Sequence, residues 1–520
     1  MKSNLLILDY GSQYTQLIAR SIRELGVFCE IVPGNLSFER FSSYNPKAII
    51  LSGGPASVNI EGAPKIDQKI LDLGLPTLGI CYGMQLLTQS YGGKVGGWSE
   101  EKSEGEESSK REFGRAEIKI SEKSGIFSAV DDSLEVWMSH GDKVTELPKG
   151  FKILASSSGS PVAAFCNEEK KIYAVQFHPE VNHTPRGKEI ISAFVFDVCS
   201  LEKDWNAGSF VNDTVEGIKQ KVPTGNVVCG LSGGVDSTVA AVLVNKAIGH
   251  RLHCIFVDNG LLRKDEAKEV NEMMKTLGLN LHFVDASERF LKALDGVTDP
   301  EKKRKIIGHT FIDVFEDEAK RISDVNYLVQ GTLYPDVIES VSVIGQAVTI
   351  KSHHNVGGLK ENMKLELIEP LRELFKDEVR KIGLEMGIPE SFIYRQPFPG
   401  PGLAVRCLGE LKKERLEKLR LADAVVREEV NNAGLNKVIW QSFAVLLPVQ
   451  SVGVMGDSRT YDECIAIRAV TSRDGMTADW YAFDQDILRR MSNRIVNETP
   501  GVNRVVLDIS SKPPSTIEWE

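Results

Sequence analysis

From Asn4 to Phe196 the chain alternates short apolar runs, Leu5 to Leu8, Ala48 to Leu51, Thr77 to Ile80 and Ile172 to Phe177, with stretches of helical periodicity such as Thr15 to Leu25. Runs that are apolar at every position suit strands covered by helices on both faces, so this part predicts an α/β sheet. Its middle reads as several short strands. The tract SEEKSEGEESSKRE at 99–112 has no apolar periodicity and is expected to be a solvated loop. Beyond the polar stretch Glu202 to Ser209 a second series begins: NVVCGL, a helix over Thr238 to Ile248, LHCIFVD, a helix near Lys264 to Leu277, LNLHFVD and VNYLVQG. That order predicts a second, largely parallel sheet. The segment PFPGPG (Pro397 to Gly402) breaks regular structure. After it come a helix over Leu411 to Val430, strand-like runs at Ser442 to Leu447, Cys464 to Val470 and Val502 to Ile509, and a helix near Asp484 to Asn497, which together predict a smaller α+β domain.

A chain of 520 residues is long enough for about three domains. The breaks above place them at 3–199, 200–395 and 396–520. With 62 basic and 72 acidic side chains the formal charge is −10, so no basic field is available to a nucleic acid, and none is expected as a partner. The N-terminal apolar run is too short for a signal peptide and no run of about 18 apolar residues occurs, which predicts a cytoplasmic chain with no membrane contact. The eight cysteines are scattered without a CxxC pair and are expected to be reduced.

Gly79-Ile80-Cys81-Tyr82-Gly83 lies between the run LPTLGI and the helical stretch MQLLTQSY. This is a G-x-nucleophile-x-G elbow with cysteine as nucleophile. A helix N-terminus there favours the thiolate, a minor species at a free pKa of about 8.5, and aims the Tyr82 N–H where an oxyanion would form. Another strand ends in His178-Pro179-Glu180. Residues i and i+2 of an extended chain share a side, so Glu180 can orient the His178 imidazole as a base for Cys81.

With LSGGP (Leu51 to Pro55), GICYGMQ (Gly79 to Gln85) and FHPE (Phe177 to Glu180) in this order, the first segment resembles the class I glutamine amidotransferases, whose domain is flavodoxin-like. The resemblance implies a γ-glutamyl thioester on Cys81, His178 as base and then acid, Glu180 as its orienter, and an oxyanion hole from Gly54 and Tyr82. It also implies that Gln85 and MSHGD (Met138 to Asp142) hold the glutamine. His140 and His183 are expected to be structural or exposed.

Ser232-Gly233-Gly234-Val235-Asp236-Ser237 joins the strand NVVCGL to the helix TVAAVLVNKAI. Its glycines let successive N–H groups converge on phosphate oxygens at a helix N-terminus, and its serines add donors. No GxxxxGK[ST] occurs, so γ-phosphoryl transfer is not the natural reading. The loop resembles the pyrophosphate-binding signature of the ATP pyrophosphatases, an adenine-nucleotide α-hydrolase-like fold. Val257, at the next strand's end, is placed to receive adenine at a switch point. Magnesium is expected with ATP, with Asp236 as a ligand or water-holder. QGTLYPDVIES brings Asp336 into the loops that follow the sheet, and the His353-His354 pair there lacks a third ligand.

A glutaminase beside an adenylylating domain predicts an amidation, and the order of the segments resembles the glutamine-hydrolysing GMP synthetase family over essentially the whole chain. VDNGLLR, QGTLYPDVIES, FPGPGLAVR, SVGVMGD and KPPSTIEWE carry that resemblance. It implies that XMP, ATP and glutamine are substrates, that Gly400, Arg406, Lys512, Ile517 and Glu518 bind XMP, and that the last domain makes a homodimer. It also implies a mobile lid over Leu367 to Gly383, with Glu369 and Lys381 meeting ATP or its metal. Two rivals share parts of the pattern. A tRNA-thiolating ATP pyrophosphatase would leave the glutaminase unexplained, and a non-enzymatic purine sensor would need both sites silent.

Overall fold

The computed structural model describes residues 4–96, 112–340, 365–455, 458–472, 475 and 477–520. The histidine pair at 353 and 354, and the acidic tract apart from Glu112, lie outside the described residues. The described chain divides into two compact units, one running to Phe210 and the other beginning at Val211.

The first unit is built on a nine-stranded sheet. Its first five strands in spatial order, Cys29–Pro33, Leu5–Asp9, Ala48–Leu51, Thr77–Ile80 and Ile172–Val175, pair in parallel. The last three of these are buried at every position, as the continuous apolar runs predict. The sheet then continues antiparallel through Ala164–Asn167, Lys152–Ser157, Glu112–Ile120 and Ser133–His140. Glu112–Ile120 has one face open to solvent, which explains its alternating sequence.

In the second unit, Asn226–Leu231, Leu252–Asp258, Leu281–Asp285, Val325–Val329 and Glu366–Ile368 form an all-parallel sheet in spatial order third, second, first, fourth, fifth. A second sheet is a long hairpin of Gln441–Met455 and Ser458–Thr471, extended by antiparallel Asp479–Trp480 and by Val502–Asp508, parallel to Ser458–Thr471. One buried core runs from Val228 and Ile255 through Leu403, Ala404 and Leu419 to Ile467 and Met491. The segments on either side of PFPGPG are therefore two sheets sharing one core.

The segment Leu367 to Gly383, where a lid is expected, holds regular elements. It is a short strand followed by the helix Lys376–Glu385, which buries Val379 and Ile382. A Cβ on Gly383 would lie 3.1 Å from Val239, so this helix packs directly on the one that follows the phosphate loop. Among the described residues no helix is long and apolar enough to cross a membrane.

Candidate active sites

Ala48–Leu51, Thr77–Ile80 and Ile172–Val175 are parallel neighbours in the first unit, so their carboxyl ends lie along one sheet edge. That edge carries Gly53 and Gly54, Cys81, and His178 with Glu180. Cys81 precedes the helix Tyr82–Ser90 with φ 52° and ψ −103°, a left-handed φ that a cysteine rarely adopts. The turn is held by Cys81 N–H donating to Val175 O at 2.8 Å and Gly83 N–H donating to Ser52 O at 3.0 Å. Gly83 has no alternative there, because a Cβ would stand 2.3 Å from the Leu51 carbonyl oxygen.

The Cys81 thiol is buried, 3.7 Å from both the Ser139 carbonyl and Gln176 Nε2. His178 is also buried, with Nδ1 2.7 Å from Glu180 Oε1. Burial alone would lower the imidazole pKa, but the charges of Glu180 and Cys81 and the hydrogen bonds to both overcome it and hold the pKa well above its ordinary value. The imidazole of His178 thus lies between the Cys81 sulfur and the Glu180 carboxyl group, both of which favour its cationic form. Thr184 Oγ1 donates to His178 O at 2.7 Å and His178 N–H to Trp137 O at 3.0 Å, which fixes the backbone beneath the ring. A Cβ on Gly53 would come within 3.1 Å of His178 Cε1, and one on Gly54 within 3.3 Å of the Tyr82 ring, so both glycines permit close approach at the site.

Gln85 Nε2 donates to Asp142 O at 3.1 Å, tying the helix to the MSHGD stretch. His140 is buried, its Nδ1 3.0 Å from Asp142 O and its Nε2 3.3 Å from Glu112. His183, in contrast, is exposed and lies against Trp137. Sequence reasoning missed Gln176, beside the thiol, and Tyr14, whose ring meets His178 edge-on at 5.0 Å. Neither has a spacing that marks it.

In the second unit the same sheet geometry brings Ser232–Ser237, Asn259, Gln330–Thr332 and Glu369 to one edge. Gly233 has φ 74° and Gly234 caps the helix Val235–Ile248. The Ser232 and Ser237 hydroxyls lie 3.1 Å apart, and Gly234 N–H donates to Ser232 Oγ at 3.3 Å, so the loop is pre-folded around its own donors. Lys376 Nζ lies 3.0 Å from Asp236 Oδ2, while Asp236 Oδ1 is buried without a hydrogen-bond partner among the described residues. Arg395 donates to Gly233 O at 3.4 Å and pairs with Glu266. Lys376 and Arg395 are cations that sequence reasoning missed. Lys381 is exposed on the helix that begins at Lys376.

The Glu369 carboxylate accepts from Thr332 Oγ1 at 2.7 Å and pairs with Arg372. Asp336 Oδ2 accepts from the Leu333 N–H at 3.1 Å. The Val257 side chain belongs to the core, and its backbone is in parallel register with Val284. Among the described residues no group of three or more His, Cys, Asp or Glu is placed to hold a metal ion.

Of the residues expected around XMP, Arg406 and Glu518 are brought into contact. Arg406 is fully buried, not open to a phosphate: its guanidinium stacks 3.9 Å over Phe443 and grips Glu518 through bonds of 3.0 and 2.9 Å. Glu518 also accepts from Gln441 Nε2 at 2.7 Å. Ile517 packs on Phe443, Val445 and Ala466, and Lys512 Nζ donates to Gly475 O at 2.7 Å. Gly400 is exposed with open space at its Cβ position.

Family models match three stretches: glutamine amidotransferase class-I over residues 6–198, NAD synthase over 209–308 and GMP synthase C terminal domain over 428–519. Relatives named GMP synthase [glutamine-hydrolyzing] match nearly end to end. The protein of Brachyspira hyodysenteriae is 58% identical over 99% of this chain and 98% of its own length. That of Maridesulfovibrio salexigens is 58% identical over 100% and 99%, and that of Aquifex aeolicus 56% identical over 99% of each. With both sites assembled on that shared length, the chain belongs to the glutamine-hydrolysing GMP synthase family.

Proposed function

We propose that this chain makes GMP from XMP, ATP and glutamine, releasing AMP, pyrophosphate and glutamate, with residues 3–199 as glutaminase, 200–395 as the adenylylating segment and 396–520 as the XMP-binding and dimerising segment. The observation that carries the reading is the strained Cys81 elbow facing the His178–Glu180 pair. The Cys81 thiolate attacks the glutamine carboxamide carbon, and the N–H groups of Gly54 and Tyr82 receive the oxyanion. Cationic His178 gives its proton to the departing ammonia, then takes one from the water that hydrolyses the γ-glutamyl thioester. Gln85 and the MSHGD stretch position the glutamine.

At the other site the turn Ser232–Ser237 cradles the ATP phosphates and the backbone edge of Val257 borders the adenine. The XMP C2 oxygen attacks the α-phosphorus, pyrophosphate leaves, and ammonia then displaces AMP from C2. Free ammonia is mostly protonated and unreactive near neutral pH, a reason to make and use it on one chain. Asp236, which has a buried oxygen with no hydrogen-bond partner among the described residues, fits a magnesium ion or its water, and Glu369 at the same edge is a further candidate. Magnesium bound with ATP supplies charge neutralisation on the leaving pyrophosphate. Lys376 is poised to move from Asp236 to a phosphate oxygen. Lys512 and Glu518 address the two ends of XMP, and Arg406 orients Glu518.

The hairpin leaves Val452, Val454 and Tyr461 exposed, which supports dimerisation through the last segment. All eight cysteines are free thiols, in keeping with a reducing cytoplasm.

Replacing Cys81 with alanine should abolish glutamine-driven GMP formation and leave synthesis from high ammonium nearly intact; equal loss with both donors would overturn the division of labour. Because Glu180 helps hold the His178 pKa up, Glu180→Gln should let the imidazolium deprotonate at lower pH. The alkaline limb of the glutaminase profile should then move to lower pH, and an unmoved limb would show that Glu180 does not tune the base. Lys376→Ala should lower both glutamine- and ammonia-driven rates roughly ten- to a hundredfold, the scale of one charged hydrogen bond, with Lys381→Ala within about twofold. The opposite ranking would assign the phosphate contact to Lys381.

A further inference from the structure

One buried cation has no part in the chemistry above. Lys303 lies on the helix Pro300–Ala319, whose Ile307, Val314 and Phe315 pack into the core beneath the phosphate-loop sheet. Its side chain has no exposed surface. Its ammonium donates to Ala404 O at 3.1 Å, Cys407 O at 3.0 Å and Glu520 Oε2 at 2.6 Å. An ammonium has three hydrogens to donate, and here each has an acceptor.

Those acceptors belong to two elements that converge on the XMP-binding segment. Ala404 and Cys407 flank Arg406, the residue that grips Glu518. Glu520 lies two residues beyond Glu518, and its other oxygen accepts from Gly409 N–H at 3.3 Å. Between them Trp519 Nε1 donates to Asp508 at 2.9 Å. The tail therefore hangs from two buried cations: Arg406 orients Glu518, and Lys303 fixes both the turn that carries Arg406 and the tail just past Glu518. A polar latch of this kind depends on geometry, since a buried charge that loses one partner keeps its desolvation cost.

We propose that Lys303 is a positioning residue for XMP: through Glu520 it ties the tail bearing Glu518 to a helix of the adenylylating sheet, and so sets the XMP base against the site where ATP is cleaved. The inference rests on the reading that the tail binds XMP. A residue with that role acts on XMP binding and leaves ATP and glutamine alone.

The test uses the full chain and ammonia-driven synthesis. Glu520→Gln changes one partly exposed side chain and keeps its shape. It should raise the KM for XMP roughly tenfold or more, the scale of a lost charged hydrogen bond, while the KM for ATP stays within about twofold. Hydrogen exchange over residues 512–520 should quicken in the variant without XMP. Lys303→Met, where it folds, should show at least the XMP effect, and adding Glu520→Gln to it should raise the KM no further, because the contact between the two residues is already gone. In the parent protein, XMP should slow exchange over 512–520, and a tail that gains no protection would sink the premise. Protection in the parent together with a parental KM for XMP in Glu520→Gln would sink the latch alone. A parallel rise in the KM values for ATP and XMP with a lower unfolding temperature would make Lys303 merely structural.

Discussion

Parallel strand pairing is the constraint on which both sites depend. It puts the carboxyl ends of neighbouring strands on one edge, where each chain must turn at once toward a helix. In the first unit this brings together residues far apart in sequence: the Gly53–Gly54 turn, the Cys81 elbow and the His178–Glu180 pair follow three adjacent strands. In the second unit it does the same for the phosphate loop, Asn259, Thr332 and Glu369. The two edges are specialised by what turns there. At one edge a left-handed cysteine makes the turn, and at the other a glycine pair turns between Ser232 and Ser237, whose hydroxyls gather at the start of the helix.

The tail follows another rule. Arg406, Arg468 and Lys303 have no exposed side-chain surface, and each meets a carboxylate or main-chain carbonyls: Arg406 at Glu518, Arg468 at Asp508 and the carbonyls of Ser510 and Thr516, Lys303 at Glu520. Removing such ions from water costs about as much as their pairing returns, so their contribution is to placement more than to net stability. Arg263 and Arg406 also flank Phe398 of the PFPGPG loop, at 4.4 and 5.2 Å from the ring centre. The loop that breaks regular structure in the sequence is thus anchored between two cations of the same core.

The strands were legible because burial on both faces leaves a continuous apolar run: Ala48–Leu51, Thr77–Ile80 and Leu252–Asp258 match their runs residue for residue. Cys81, His178 and Glu180 were legible because their chemistry restricts residue type and order. The helix Pro300–Ala319 was not, since its inward face mixes Lys303, Thr310 and Glu316 with apolar residues. The hairpin extends well past the predicted runs because its outer part faces solvent and needs no apolar code. Lys381 is five residues beyond Lys376 on one helix, about 140° around the axis, so the two side chains leave the helix on different sides. Arg406 reads as a free cation in sequence because nothing there reveals that Glu518 folds back onto it.

In the proposed reaction the phosphate-loop site activates the XMP C2 oxygen by joining it to the α-phosphorus of ATP. Turnover of XMP labelled with 18O at C2, with mass analysis of every phosphorus-containing product, tests this directly. Adenylylation at C2 predicts one 18O in the phosphate of AMP and none in pyrophosphate. Label in pyrophosphate, or lost to water with unlabelled AMP, would contradict it.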